Sequence, residues 1–427
     1  MQNYRWDAVF ACSGTWINAR LKESEKKFPA SFAYEDDAVK VSGDFGSWTM
    51  VPGGTGRFIH FDTPVTKGTL LDKASGKSYS LDGAIPIVQF QLDFVTPAGK
   101  SDQKHLKFDC RVVGKNPGDK TPGAVTVLNP DSRKDSPIPG LVSDVLGVAL
   151  AHAFIASRQE LSFVFAELSL APPAGASWLT LKQLTYAYQQ NDDNELGNLA
   201  VLGMLSDVSI KNIEPVFDTQ LMQGGHDFGF VLAASRFFEH VLLPAMPQAY
   251  RGSNASQFSW DGATKISNHG NVTLDKVKVG LIWYPPVIQN LDIHLEGNLI
   301  RTTAAGRCDI TGLDDAYISF SIASKNPGQY LPASRSIAFA KDPHKSITHS
   351  SHIPWWEKLL GGLTAGIMNV VIDAVSLAIE DAVTGAIGNT GISSHGMGAQ
   401  LVTWPGQNAI TPTGGGLADN FYFQGTL

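Results

Sequence analysis

Alternating apolar and polar residues predict antiparallel β-strands over much of the chain. Every second residue is apolar in His105–Val112, and the same two-residue period holds from Val88 to Phe94. This alternation is typical of strands that bury one face and expose the other. Similar stretches predict further strands near residues 39–51, 58–65, 161–170, 178–188, 272–284 and 287–300.

Apolar residues with a period near 3.6 predict four helices that could cover the buried face of such a sheet. The last of them carries the broadest apolar stripe and would be the longest. Long helices lying on an extensive antiparallel sheet make an α+β fold. The predicted helices lie near residues 9–21, 142–153, 228–243 and 354–387.

The amino-acid composition limits the classes of protein to which the chain can belong. Only 17% of the 427 residues are charged and 43% are hydrophobic, whereas an average soluble domain carries roughly 25% charged residues. The chain can therefore bury a large core, and disorder and collagen are excluded. A net charge of −7 argues against a nucleic-acid partner. We expect one elongated unit over residues 1–427, whose length leaves room for two lobes divided near 210–250.

The three cysteines, Cys12, Cys110 and Cys308, are too widely spaced for a zinc motif and too few for a disulfide framework. We expect three buried or half-buried thiols. The N-terminus is polar and does not have the pattern of a signal peptide. No uncharged apolar run reaches the ~18 residues that a membrane-spanning helix needs. The sequence therefore predicts a soluble protein without a transmembrane segment.

Motifs of catalysis and cofactor binding are missing or have a structural explanation. Gly53–Gly56 superficially suggests a phosphate loop, but the alternating residues after it predict a strand, so we interpret it as a turn between two strands. Neither a P-loop nor a G-x-S-x-G elbow occurs. We expect no cofactor and no enzymatic activity. A hydrolase site assembled from distant Ser, His and Asp residues stays open.

His344, His349 and His352 form the one histidine cluster, and the HxxH spacing of the last two would suit a metal if they lay on a helix. The serines and Pro354 around them favour an exposed loop, so we expect no metal site. The acidic pairs at 36–37, 192–193, 314–315 and 380–381 are interpreted as solvated surface.

Apolar stripes offer the remaining candidate chemistry, because they could line a lipid groove instead of packing in a core. The first helix contributes Phe10 and Ile17, and the lysines at its end could contact an anionic headgroup. The candidate headgroup residues are Lys22, Lys26 and Lys27. The last helix contributes Trp355, Trp356, Leu359, Leu360, Leu363 and Ile367. For each apolar residue, packing in the core is the competing interpretation.

Short motifs in a fixed order run along the whole chain. They are Trp6–Ala11 with Ile17-Asn18, Gly46–Trp48 with Val51–Gly56 and Thr63–Val65, Phe163–Ala166, Leu184–Tyr188, Leu199–Leu205, Val402–Gly406 and Asp419–Phe421. This ordered set resembles the bacterial TULIP (tubular lipid-binding) family of the 47-kilodalton accessory protein from the clostridial OrfX-type neurotoxin gene cluster.

The resemblance implies a TULIP-like super-roll, in which long helices are wrapped by a highly curved antiparallel β-sheet around an apolar groove. It also implies a non-enzymatic protein of a bacterial toxin locus, made in the cytoplasm and released, if at all, without a classical signal peptide. The expected partners are a lipid, either a phosphoinositide or a fatty acyl chain, and proteins of a toxin complex. The alternative is a structural component of a toxin or binary insecticidal complex, with a dry core and no lipid ligand.

Overall fold

The computed structural model describes most of the chain. The described residues are 1–133, 138–190, 195–279, 281–310, 315–352, 369–371, 373, 374, 377 and 398–427. They separate into two compact units. The larger unit comprises Tyr4–Phe230, Ala399–Thr411 and Gln424–Leu427, and the smaller unit comprises Met1–Asn3, Val231–Gly398 and Pro412–Phe423. The single elongated unit expected from the sequence stays a prediction.

The larger unit is built mainly from strands, and its described residues include two helices of more than one turn. Its helices are α1 (Gly14–Glu23) and α2 (Gly140–Ala156). Its strands are β1 (Ala8–Ser13), β2 (Ser31–Glu35), β3 (Val39–Phe45), β4 (Thr49–Thr55), β5 (Phe58–Asp62), β6 (Val65–Asp72), β7 (Lys77–Ser80), β8 (Ile87–Val95), β9 (Gln103–Asp109), β10 (Val112–Val113), β11 (Ala124–Asn129), β12 (Val164–Ser169), β13 (Gln183–Gln189) and β14 (Asn198–Met204).

The chain passes between the units within three of its strands, and the smaller unit is also rich in strands. The strand β15 (Phe228–Leu232) crosses the division. It is followed by α3 (Ala234–Phe237), a π-helix (Phe238–Leu242), α4 (Leu243–Ala249), and the strands β16 (Phe258–Trp260), β17 (Lys265–Asn268), β18 (Val272–Thr273), β19 (Val277–Val279), β20 (Ile282–Tyr284), β21 (Val287–Glu296), β22 (Leu299–Asp309), β23 (Tyr317–Leu331), β24 (Ser336–Phe339), β25 (Ser346–His352), β26 (Val402–Thr403, in the larger unit), β27 (Thr411–Ala418) and β28 (Asn420–Thr426).

Two sheets organise most of the larger unit. One has the strand order β10-β11-β8-β9-β12-β26, with the β4–β5 hairpin attached through β5 to β8. Its pairs are antiparallel except for β10 and β11. The other has the order β2-β3-β6-β7. Helix α2 packs against β11 and β2, and so covers apolar side chains of both sheets.

The smaller unit contains one large antiparallel sheet. Its order is β16-β17-β21-β22-β23-β24, and β18 and β25 add to β21 and β23. Buried and partly exposed residues alternate along Leu299–Asp309, as expected for a sheet with one covered face. A separate two-stranded ribbon is formed by β19 and β20.

The first predicted helix is wrong at its beginning. Ala8–Ser13 is a strand that pairs with β14, and the helix begins only at Gly14. Ala8–Cys12 is buried throughout, and a strand buried on both faces lacks the alternation that would distinguish it from a helix. The Ser13 hydroxyl accepts a hydrogen bond from the Trp16 N–H and caps the helix. A Cβ at Gly14 would lie 2.3 Å from the Gly197 carbonyl oxygen, so this close approach requires glycine.

The prediction of long helices in an α+β fold is also wrong within the described residues. The third predicted helix begins with the strand Phe228–Leu232, which is buried throughout, and continues only as short helical segments. Within the described residues the longest helix is α2, with 17 residues. The fourth predicted helix lies largely outside those residues. The fold is therefore mainly antiparallel β with few helices.

Candidate functional site

A pocket of about 710 Å³ opens on the larger unit. Its wall combines the tip of the β4–β5 hairpin, strand β13, and the irregular segments around Lys120 and from Ile210 to Val216. The volume falls in the range of about 300–1,000 Å³ that is typical of ligand pockets. The lining residues are Trp6, Thr55, Gly56, Arg57, Phe58, Gln91, Lys120, Thr185, Gln189, Ile210, Lys211, Ile213, Glu214, Pro215 and Val216.

Backbone contacts fix the hairpin tip that forms one side of this pocket. Thr55 pairs with Phe58, and Gly56 lies between them with a φ of 59°. The Tyr188 N–H donates a hydrogen bond of 2.6 Å to the Gly56 carbonyl oxygen. Gly53 and Gly54 therefore belong to β4, and Gly56 lies in the turn that leads to β5, so the predicted turn is confirmed only at the end of the segment. The positive φ angles of Gly53 and Gly56 suit glycine.

Tyr186 holds Arg57 in place. Its hydroxyl donates to the Arg57 carbonyl oxygen at 2.8 Å and accepts a hydrogen bond from the Leu92 N–H at 2.7 Å. Burial raises the pKa of this hydroxyl, so it stays a donor at neutral pH. The Arg57 guanidinium donates through Nη2 to Thr185 Oγ1 at 3.1 Å. Both the backbone and the side chain of Arg57 are thus anchored at the pocket.

Glutamines fasten another part of the pocket wall, the segment from Ile210 to Val216. The Ile210 N–H donates to Gln183 Oε1 at 3.2 Å, and the Phe217 N–H donates to Gln189 Oε1 at 2.5 Å. Between them, Trp6 Nε1 donates to the Glu214 carbonyl oxygen at 3.3 Å. The Trp6 ring is fully buried. Two side chains of β13 therefore hold the ends of this segment, and the buried Trp6 holds its middle.

The loop that carries Lys120 is fixed in a similar way. Gln91 Nε2 donates to the carbonyl oxygens of Asp119 at 3.2 Å and Thr121 at 2.8 Å. The N–H groups of Lys115 and Thr121 donate to the Asp119 carboxylate and lower its pKa to about 2. The backbone on both sides of Lys120 is thus held, while its side chain is exposed at the pocket.

Charge and apolar surface are combined in this pocket. Arg57, Lys120 and Lys211 are exposed cations, and the carboxylate of Glu214 is the single acidic group of the lining. The apolar surface comes from Phe58, Ile210, Ile213, Pro215 and Val216. Such a surface suits a ligand that has both an apolar body and an acidic group. The lining residues, all within the described chain, include no serine, cysteine or histidine.

The predicted lipid residues of the N-terminal segment belong to the packed core. Phe10 is 2% exposed and its ring centroid lies 5.2 Å from that of Phe230, while Ile17 is fully buried. Their assignment to a lipid groove stays untested, but both side chains already have protein partners. The other apolar candidates, Trp355, Trp356, Leu359, Leu360, Leu363 and Ile367, lie outside the described residues.

The candidate headgroup residues Lys22, Lys26 and Lys27 are exposed at the end of α1 and in the turn after it. A pocket of about 210 Å³ is lined by residues of the same segment. The Glu25 carboxylate forms part of that lining and accepts a hydrogen bond from the Ser47 hydroxyl. Each of the two pockets has one carboxylate in its lining, but the Arg57 pocket also has three cations, whereas no lysine or arginine lines this smaller pocket. The smaller pocket is therefore a poorer match for an acidic headgroup, and the three lysines stay a prediction.

Aromatic side chains fill the space between the sheets of the larger unit. Nine of them are linked through ring centroids 5.0–6.5 Å apart, which is the range of direct aromatic contact, and Phe32 adjoins the nine at 4.6 Å from Phe45. We call this set the aromatic cluster. It consists of Phe28, Phe45, Trp48, Phe61, Phe90, Phe108, Phe154, Phe163 and Phe165.

The described residues give little support for a metal site or a reactive thiol. No group of three or more His, Cys, Asp or Glu side chains there could hold a metal ion. His349 and His352 lie on β25, where residues three apart point to opposite faces. Cys12, Cys110 and Cys308 are free and buried, as predicted. Across the same part of the chain, no helix is long and apolar enough to cross a bilayer.

Comparison with a protein family decides the identity of the chain. The family described as "OrfX-like: Protein OrfX2/OrfX3/P47" matches residues 3–392. The chain belongs to this family. The resemblance found in the short motifs is thereby confirmed, and with it the assignment to the clostridial P47 and OrfX group of toxin-locus proteins.

Relatives from clostridia cover most of the chain. Protein P47 of Clostridium botulinum (strain Kyoto / Type A2) is 25% identical over 361 residues, which are 83% of this chain and 84% of P47. Protein OrfX3 of Paraclostridium bifermentans is 21% identical over 330 residues, which are 70% of this chain and 67% of OrfX3.

Two solved structures share the fold of the chain. The structure of P47 from Clostridium botulinum A2 matches with a TM-score of 0.83 at 21% identity, over 100% of this chain and 98% of that one. The crystal structure of P47 of Clostridium botulinum E1 matches with a TM-score of 0.75 at 22% identity, over 99% and 98%. At these identities the likeness shows the fold.

Proposed function

We propose that the protein is a non-enzymatic binding protein of a toxin locus, and that its Arg57 pocket holds an amphipathic acid such as a fatty acid or an acyl lipid with an acidic headgroup. The observation that carries the proposal is a pocket with an apolar base and three exposed cations, Arg57, Lys120 and Lys211. The cations would bind the acidic group through charge-assisted hydrogen bonds. Each methylene removed from water would contribute about 0.8 kcal/mol.

The site differs from the groove between helices and sheet that the sequence suggested. In the larger unit the interior is occupied by the aromatic cluster, whereas the pocket lies at the surface between a hairpin tip and two anchored segments. Family membership supports the association with a toxin locus, and the pocket supports the ligand class. The TULIP-like super-roll remains part of this proposal, in a form with few helices.

Titration with a fluorescent fatty acid tests the proposal. We expect Arg57→Gln combined with Lys211→Gln to weaken binding about tenfold or more, because two charge-assisted contacts are lost. The methyl ester of the same acid should bind wild type and variant equally. Lys22→Gln with Lys26→Gln is the matched control and should bind as wild type does. Unchanged fatty-acid binding by the Arg57/Lys211 variant would contradict binding in the pocket. Loss of fatty-acid binding by the control variant would favour the lysines near α1 as the headgroup site.

The aromatic cluster favours a second candidate function, a structural component of a toxin or binary insecticidal complex with a dry core. Rings in direct contact occupy the space that an enclosed lipid would need. Organic extraction of the purified protein should then release no lipid. Co-purification with products of neighbouring genes would support this function, whereas stoichiometric lipid in the extract would contradict it.

A further inference from the structure

A small hairpin in the smaller unit carries apolar residues at its tip. Strands β19 and β20 pair only with each other in the described sheets, with Lys278 opposite Trp283 and Val277 opposite Tyr284. Leu281, next to the tip, is 93% exposed, Ile282 is 41% exposed and Trp283 is 53% exposed. Isolated exposed apolar residues are normal, but three consecutive large ones at a tip indicate an interaction site.

The exposure shows that this end of the hairpin is open to solvent. Ile282 and Trp283 are neighbours on one strand, so their side chains point to opposite faces of the ribbon. Because both are partly exposed, neither face of the ribbon is fully covered at these two residues. The base is anchored, since Tyr284 is 2% exposed and the Leu274 N–H donates to the Pro286 carbonyl oxygen at 2.9 Å.

Lysines accompany the apolar tip. Lys276 and Lys278 are exposed on the first strand and its approach, and Asp275 is the neighbouring acidic residue, farther from the tip. The Lys278 Nζ lies 5.7 Å from the centroid of the Trp283 ring. In a chain with a net charge of −7, the tip therefore combines local positive charge with apolar surface. Tryptophan and lysine together are typical of the boundary between lipid headgroups and acyl chains.

We propose that this hairpin docks the protein on the surface of an anionic bilayer, with Leu281 and Trp283 entering the headgroup boundary and Lys276 and Lys278 contacting anionic headgroups. Strands rise by about 3.3 Å per residue. The two strand steps from buried Tyr284 to Ile282 thus span about 7 Å, and Leu281 follows in the turn, which fits the ~5–10 Å depth of interfacial insertion. A protruding tip suits a fluid lipid surface, whereas protein interfaces centre on side chains enclosed in pockets. This docking is independent of the ligand pocket at Arg57.

Co-sedimentation with vesicles tests the docking. The vesicles contain phosphatidylcholine with a minority of phosphatidylserine, and vesicles of phosphatidylcholine alone serve for comparison. We expect Leu281→Ser combined with Trp283→Ala to lower the partition coefficient about tenfold or more. Lys276→Gln with Lys278→Gln should remove the preference for phosphatidylserine. Val148→Ser is the matched control, because Val148 is 52% exposed on α2 in the larger unit, and it should bind as wild type does.

Site-specific labelling gives a second readout. The three native cysteines are buried, so Leu281→Cys can be labelled selectively with an environment-sensitive fluorophore. Its emission should shift to the blue on vesicle binding, and the same label at Val148→Cys should not respond. Equal vesicle binding by the Leu281/Trp283 variant, or no shift at position 281, would overturn the docking. So would a tip variant that loses a protein partner but keeps vesicle binding.

The pocket variant Arg57→Gln separates the two proposals. It should keep full vesicle binding while losing affinity for the fluorescent fatty acid. Loss of vesicle binding in Arg57→Gln, with the tip variant unaffected, would assign the membrane contact to the pocket and overturn the role of the hairpin.

Discussion

The aromatic cluster and the Arg57 pocket are two regions of one unit that share strands. Phe90 and Gln91 are neighbours on β8, and their side chains point to opposite faces. Phe90 is fully buried with its ring 5.1 Å from Phe108 and 5.7 Å from Trp48, whereas Gln91 lines the pocket and holds the Lys120 loop. One face of the strand is thus closed by rings, and the other supports an open site.

The difference lies in how each region is held together. In the aromatic cluster, side chains contact one another directly, and packing density determines the energy. At the pocket, the glutamines Gln91, Gln183 and Gln189 bond to the backbone of irregular segments and keep space between them. Many of the apolar residues therefore serve packing in the core. The residues suited to ligand binding lie where polar side chains hold loops apart.

Phe90→Ala should have the largest effect, on the closed face. It would remove a ring that contacts Trp48, Phe61, Phe108 and Phe154. We expect the free energy of unfolding of the larger unit to fall by about 3–5 kcal/mol, because a buried cavity replaces the ring. Urea unfolding followed by near-ultraviolet circular dichroism measures the change. Val148→Ala, on the exposed side of α2, should change stability by less than about 0.5 kcal/mol. A loss below ~1 kcal/mol for Phe90→Ala would indicate that neighbouring side chains fill the cavity, so that the aromatic cluster is not closely packed.

Tyr186→Phe should have an intermediate effect, because its hydroxyl joins the two regions. Without it, the buried Leu92 N–H and the Arg57 carbonyl oxygen lose their partner. We expect a loss of about 1–3 kcal/mol in unfolding free energy, together with weaker binding of the fluorescent fatty acid. Tyr34→Phe is the control, since the hydrogen bond from its hydroxyl to Asp36 is exposed. Full ligand affinity in Tyr186→Phe would show that Arg57 does not need this support.

Periodicity in the sequence predicted much of the strand content, and the reason for its failures is physical. Strands with one covered face, such as Leu299–Asp309, carry a clear alternation. Strand segments buried on both faces, such as residues 8–12 and Phe228–Leu232, contain no alternating polar residues, so their pattern wrongly predicts helices. The second helix was predicted correctly near Gly140–Ala156 because it is long enough to show its period.

The pocket could not be predicted, because its residues come from distant parts of the chain and become neighbours only through sheet pairing. Gly53–Gly56 was interpreted as a turn, and Arg57 beside it carried no local signal. Lys120 lies in a proline-rich loop, and the role of Gln91 depends on a contact 30 residues away. A weak clue was the set of uncharged glutamines on β13, because polar side chains at the ends of a buried strand commonly anchor neighbouring segments.

Tyr188 provides the smallest and most specific prediction, because it lies two residues from Tyr186 and on the same face of β13. Its hydroxyl accepts a hydrogen bond from the Gly197 N–H at 2.8 Å, and burial raises its pKa to about 12. The folded state therefore holds this proton more tightly than the unfolded state, whose tyrosine pKa is about 10. The contribution to stability is complete below pH ~10 and is lost as the pH rises towards the folded pKa.

We expect unfolding free energies measured at pH 9 and 11 to differ by about 1 kcal/mol more in wild type than in Tyr188→Phe. Parallel pH profiles of the two proteins would mean that water reaches the Tyr188 hydroxyl from the pocket side, so that the closed and open regions are not separated at this strand.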